Sequence, residues 1–114
     1  MATNKTRNTI IGDEIEVADG SFTRMRGLLG RTALEPGGGL WIRPSSGVHT
    51  IGMKFSIDVV GLDKTLRVVR IWPRLVPFRL TSISFRVTSV LELPAGQIDS
   101  SSIRVGDQLS IQTS

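Results

Sequence analysis

The fold turns on "MKFSIDVVGLDKTLRVVRIW", residues 53–72. Extended, this chain places Met53, Phe55, Ile57 and Val59 on one face and Val60 and Leu62 on the other. A strand apolar on both faces is expected in the middle of a sheet, covered on both sides. Asp63-Lys64 predicts a tight turn, after which "TLRVVRIW" returns as the second arm of a β-hairpin. Pro73 and Pro77 are expected to end that arm and leave 73–79 as a loop, because proline donates nothing to a ladder. Asp58 is the anomaly: aspartate has poor β-propensity, and this one sits between Ile57 and Val59.

Working outward, "TIIGDEIEV" (9–17) reads as a strand with a glycine break. In "DGSFTRMRGLLGR" the period changes, with Phe22, Met25 and Leu28/Leu29 at helical spacing. Ser21 or Asp19 can cap its start and Gly30 its end, predicting one short helix over 21–29. "GGGLWIR" (37–43) predicts a turn into a strand that Pro44 to Gly47 interrupts. "SFRVTSVLEL" (84–93) alternates again, and Pro94-Ala95-Gly96 turns the chain. Asp99 is expected to cap a single helical turn, and "GDQLSIQ" (106–112) to form the last strand. The expected architecture is mainly β: a small β-sandwich or open barrel of six to seven strands with one short helix.

At 114 residues the chain is expected to form a single domain, 1–114, with residues 1–8 a flexible N-terminus. No apolar run reaches the roughly 18 residues of a membrane span, and "MATNKTRNT" lacks a signal peptide's apolar stretch. The expected location is therefore cytoplasmic. The absence of cysteine excludes disulfides, thiolate nucleophiles and thiolate zinc sites. Net charge is +4, and Lys64, Arg67, Arg70, Arg74, Arg79 and Arg86 form a stretch without an acid. Interleaved with Trp72, Phe78 and Phe85, the arginines of 67–86 are what a single-stranded nucleic-acid binder would use. A solvated basic surface is the simpler expectation, and nucleic acid is not the expected partner.

Burying a carboxylate without partners costs several kcal/mol by the general rule, so Asp58 must be paired, hydrogen-bonded or at a cavity. Glu92, inside "VLELP", repeats the problem. With His49, the only histidine, and the arginines of the predicted helix, these acids form the available constellation. Two carboxylates could serve as acid and base in a hydrolase acting on a carbohydrate-like substrate, if the fold separated them suitably. A metal triad of His49, Asp58 and Glu92 lacks local ligand spacing, so no metal and no cofactor is expected. Nucleophile-elbow and phosphate-loop glycine patterns are absent. The simpler reading has both acids pair with arginines or cap turns, and the two tryptophans, Trp41 and Trp72, are read as packing residues.

"RMRGLLGR" (24–31), "GVHTIGMKFSIDVVGLD" (47–63), "VLELPAG" (90–96) and "GDQL" (106–109) together resemble, in order and spacing, the motifs of domain-of-unknown-function family 192. The resemblance runs over about residues 16–112. It implies a small, mainly β domain and supplies no reaction. Its motif residues are Arg24, Gly27, Leu28, Gly30 and Arg31; His49, Thr50, Met53, Asp58 and Asp63; Glu92, Pro94, Ala95 and Gly96; and Gly106 and Asp107. Gly61 stands where many relatives place a bulky apolar residue, which predicts a thinner core there. Many relatives also carry an export signal, which this chain lacks. The resulting expectation is a non-enzymatic β domain that binds a small polar or anionic ligand, or a protein partner. Arg24, Arg31, His49, Met53, Asp58 and Glu92 are its candidate binding residues.

Overall fold

The computed structural model describes residues 1–18, 34–45, 55–76 and 86–112. The predicted helix 21–29 lies outside these residues. Among the described residues eight strands are formed: β1 Ala2–Asn4, β2 Thr9–Gly12, β3 Glu14–Ala18, β4 Gly38–Ile42, β5 Ile57–Leu62, β6 Val68–Leu75, β7 Ser89–Pro94 and β8 Leu109–Ile111. One helical turn, α1, spans Gln97–Ser100. The strands make two sheets, ordered β2-β1-β8 and β3-β4-β7-β5-β6. All pairings are antiparallel except β3 with β4.

The larger sheet is covered on both faces, as the doubly apolar pattern of β5 requires: all six of its residues are buried. One apolar cluster joins Val60, Leu62, Leu91, Leu93 and Trp41 to Ala2, Ile11 and Leu109 of the smaller sheet and to Ile98 of α1. A second, on the opposite face, contains Leu40, Ile42, Ile57, Val59, Val87 and Val90. Mainly β architecture is thus confirmed, in two sheets rather than one closed barrel.

Four local expectations are corrected. "TIIGDEIEV" is two strands in different sheets, parted at Asp13. The glycine is not the break: Gly12 ends β2, and a Cβ there would lie 2.8 Å from the Gly37 carbonyl oxygen. Pro73 does not end its strand, because β6 is an outer strand among those described and tolerates the missing N–H. The β5–β6 turn is longer than two residues. Asp63 bonds Arg67 across its base, and Leu66 takes a left-handed φ of 67°.

The N-terminus is likewise no loose tail, for β1 is the middle strand of the smaller sheet. Asp107 secures it. Its carboxylate, almost fully buried, accepts Asn4 Nδ2 at 2.8 Å, Arg7 Nε at 2.8 Å and Nη2 at 3.1 Å, and the Arg104 amide at 3.0 Å. Burial alone would raise its pKa. The Asn4 and Arg7 side-chain hydrogen bonds, the Arg104 amide and the Arg7 charge outweigh that and hold it below the ordinary 3.8.

Gly61 leaves no gap in the core. A Cβ there would approach Val87 Cγ2 to 3.0 Å and Trp72 Cζ3 to 3.1 Å, so the Trp72 ring covers the glycine from the neighbouring strand. Gly61→Ala should therefore destabilise by about 1–2 kcal/mol through overpacking, read by urea unfolding; unchanged or increased stability would show that the Trp72 ring yields freely. The lowered pKa of Asp107 gives a second expectation. Its contribution is complete above the unfolded value of 3.8 and is lost as pH falls through the folded value. Melting temperature should fall as pH drops below about 4, and fall less steeply in Asp107→Asn. Parallel acid profiles for the two proteins would refute this assignment.

Candidate functional site

Asp58 is fully buried, and both its oxygens are occupied by main-chain amides. Oδ1 accepts the Arg74 N–H at 2.8 Å; Oδ2 accepts Ile98 at 2.7 Å and Gly96 at 3.1 Å. The Arg74 contact closes a bulge, since Pro73 and Arg74 together stand opposite Asp58 and Arg74 adopts a left-handed φ of 52°. The other two contacts cap α1. Its N-cap residue is Gly96, at φ 95°, which has no side chain to offer, so the carboxylate arrives from a strand forty residues earlier. Asp58 thus caps a turn, one of its two expected roles, with amides rather than an arginine as its donors, and Asp99, expected to cap, lies inside the turn it was to start.

Glu92 is buried on the other face. It pairs directly with Val59, a member of the second cluster, whereas Asp58 precedes Val59 and points with Val60 and Leu62 into the first. The pleat therefore sets the two carboxylates on opposite sides of one sheet. That arrangement does not provide the shared cleft a carboxylate-pair hydrolase needs. Glu92 is engaged with a neighbour in its own right. Arg24, Arg31, His49 and Met53 lie outside the described residues, so of the six candidates only Asp58 and Glu92 can be placed, and they are not brought together.

The arginines of β6 and its approaches do not share a face either. Arg67 donates to the Gly106 carbonyl at 2.7 Å. Arg70 pairs with Gly61 on the Trp72 side, and Arg74 Nη2 lies 3.6 Å from the Cβ position of Gly96. Arg79 is outside the described residues. Among those described, no three His, Asp or Glu side chains gather as a metal site. No helix among them is long and apolar enough to cross a membrane.

A different constellation emerges at the end of the sheet where β4 and β5 finish and β7 begins. An open groove of about 570 Å³ is lined by Trp41, Arg43, Pro44, Asp63, Lys64, Leu66, Thr88 and Ser89. Strand geometry builds it. Trp41 and Arg43 are two residues apart and project to the same side, and the Arg43 guanidinium lies 4.4 Å from the centroid of the indole. Ser89, paired with Leu62, faces the same way. Two polar atoms there are buried without a hydrogen-bond partner among the described residues, Trp41 Nε1 and Ser89 Oγ.

At the rim, Asp63 Oδ1 accepts the Thr65 hydroxyl at 2.7 Å and the amides of Thr65 and Arg67 at 2.9 and 3.0 Å. Partial burial works to raise the Asp63 pKa, but these donors and the Arg67 charge bring it below 3.8. The chain therefore holds this acid as a carboxylate that braces its own turn. Trp41 packs in the core cluster as its sequence reading expects, and it also lines this groove, which the sequence reading did not single out. The available signal was "WIR" in a strand, which places an aromatic and a cation on one face.

Comparison with known proteins agrees with this architecture. Residues 2–111 match the model of domain of unknown function 192, described as "Uncharacterized ACR, COG1430". The match includes β1, consistent with the tie between Asp107 and the N-terminal strand. A UPF0127 protein from Thermococcus sibiricus is 31% identical over 117 residues, covering 96% of this chain and 73% of the relative. Two crystal structures share the fold at 22% identity. A protein of unknown function from Novosphingobium aromaticivorans superposes with a TM-score of 0.77, over 85% of this chain and 74% of that one. A candidate transcription regulator from Sinorhizobium meliloti gives 0.79, over 96% and 88%. With its four motifs in order and a match over nearly its full length, the chain belongs to domain-of-unknown-function family 192.

Proposed function

We propose that this protein is a non-enzymatic binding domain whose small-molecule site is the groove walled by Trp41, Arg43 and Ser89. The observation that carries this reading is the pair of buried, unpartnered polar atoms, Trp41 Nε1 and Ser89 Oγ, in two residues of one groove wall. A buried donor without an acceptor costs about 1–3 kcal/mol; both atoms are shielded from solvent, so a guest recovers that cost where the groove wall shifts to admit it. The volume, about 570 Å³, falls within the roughly 300–1,000 Å³ typical of ligand pockets. The mixture of Pro44, Leu66 and indole with a few polar groups is also the usual composition of such sites.

The carboxylate-pair hydrolase has less support, because Asp58 and Glu92 occupy opposite faces. The nucleic-acid reading has less as well, because Arg67, Arg70 and Arg74 diverge.

Stability measurements test whether these polar atoms serve the fold or a ligand. Ser89→Ala removes a hydroxyl that nothing satisfies, so chemical denaturation should show unchanged stability or a gain of up to about 1 kcal/mol. A loss of more than about 1 kcal/mol would mean that the hydroxyl supports the fold, and the reading would fail.

A further inference from the structure

We infer that the groove takes a small organic anion, one that joins a carboxylate or phosphate group to a flat apolar body; this rests on the reading of the groove as a binding site. The polar chemistry of its wall is dominated by donors. The indole N–H can only donate, and the Ser89 hydroxyl can donate from the neighbouring strand. Lys64 is exposed in the β5–β6 turn and has no polar partner among the described residues. The Arg43 guanidinium carbon lies 4.4 Å from the indole centroid, which places a cation at the same wall.

The acceptor side is much weaker. Among the described residues Asp63 is the one carboxylate lining the groove, and its Oδ1 already receives three donors from its own turn. A cationic guest would have to compete with those donors and face both Lys64 and Arg43. An anionic guest meets the Lys64 ammonium and the Arg43 guanidinium instead, and where the wall shifts to admit it, its oxygens supply the acceptor that the buried indole N–H lacks. The apolar half follows from the remaining walls: Pro44, Leu66 and the edge of Trp41 offer flat hydrocarbon surface beside the cations. Carboxylate and phosphate share the chemistry required here, and size and charge separate them experimentally.

The test is a ¹H–¹⁵N correlation spectrum of the whole chain. It has two indole N–H signals, because the sequence has two tryptophans, and Trp41→Phe assigns them. Benzoate, phenyl phosphate, benzamide and benzylamine are titrated to about 10 mM, the range in which ligands of this size bind. Benzoate, phenyl phosphate or both should move the Trp41 indole signal downfield in a saturable way while that of Trp72 stays in place. Benzylamine should leave both signals unmoved. Lys64→Gln, a change at an exposed turn position, should weaken the effective anion about threefold, the scale of an exposed ion pair.

Saturable binding of benzamide or benzylamine at Trp41, with no response to either anion, would overturn the anion assignment and leave the groove as a binding site. No response of the Trp41 signal to any of the four, together with a destabilised Ser89→Ala, would overturn both.

Discussion

The carboxylate of Asp58 ties three parts of the chain together: its own strand β5, the bulge of β6 and the start of α1. One oxygen closes the bulge where Pro73 interrupts β6, and the other caps α1 at Gly96 and Ile98. A four-residue helix is far too short to persist by its own hydrogen bonds. Its orientation comes from Ile98, buried in the main cluster, and from an acceptor supplied by a strand. Because β5 lies between β7 and β6, this acceptor sits where the sheet, its outer strand and the returning chain converge. A charged group is suited to the role: each oxygen can accept more than one donor, and bonds to an ionised acceptor are about twice as strong as neutral ones.

The same device recurs. Asp63 folds the β5–β6 turn around its Oδ1, and Asp107 draws Asn4, Arg7 and the Arg104 amide into one network. These three aspartates, with left-handed Gly96 and Gly106, are five of the motif residues by which the chain resembles its family, and all five serve to close its turns. The groove at Trp41 lies at the opposite end of β5 from Asp58, next to the turn that Asp63 braces. The rigid turn thereby fixes Lys64 and Leu66 opposite the stacked Trp41 and Arg43 pair.

The centre of the larger sheet was legible in sequence, because β5 carries apolar residues on both faces and only a central position buries both; β7 read as an alternating strand, yet it too is buried on both faces. The burial of Asp58 and Glu92 was legible for the same reason. What could not be read was the identity of the partners. Arginine is the usual counterpart of a buried carboxylate, yet Asp58 is satisfied by amides exposed through a bulge and a glycine cap, both products of tertiary structure. The strand pattern also could not say that Asp58 and Glu92 lie on opposite faces until the β5–β7 register was known. Pro73 misled for a related reason: its effect depends on whether the strand is interior or outer, which is a property of the sheet. Gly61 likewise invited the reading of a void, because the Trp72 ring that covers it belongs to the other arm of the hairpin.

If the Asp58 carboxylate is the tie that joins β6 and α1 to the central strand, its three donors should open together. Native-state hydrogen exchange resolved at the amides of Arg74, Gly96 and Ile98 measures this directly. In the wild type the three should exchange at closely similar opening free energies, near that of global unfolding. In Asp58→Asn, which has roughly the same shape but one acceptor oxygen fewer and no charge, all three should lose protection while core amides of β7 keep theirs relative to global unfolding. Fast, loop-like exchange at these amides in the wild type, or protection unchanged in the variant, would contradict the account.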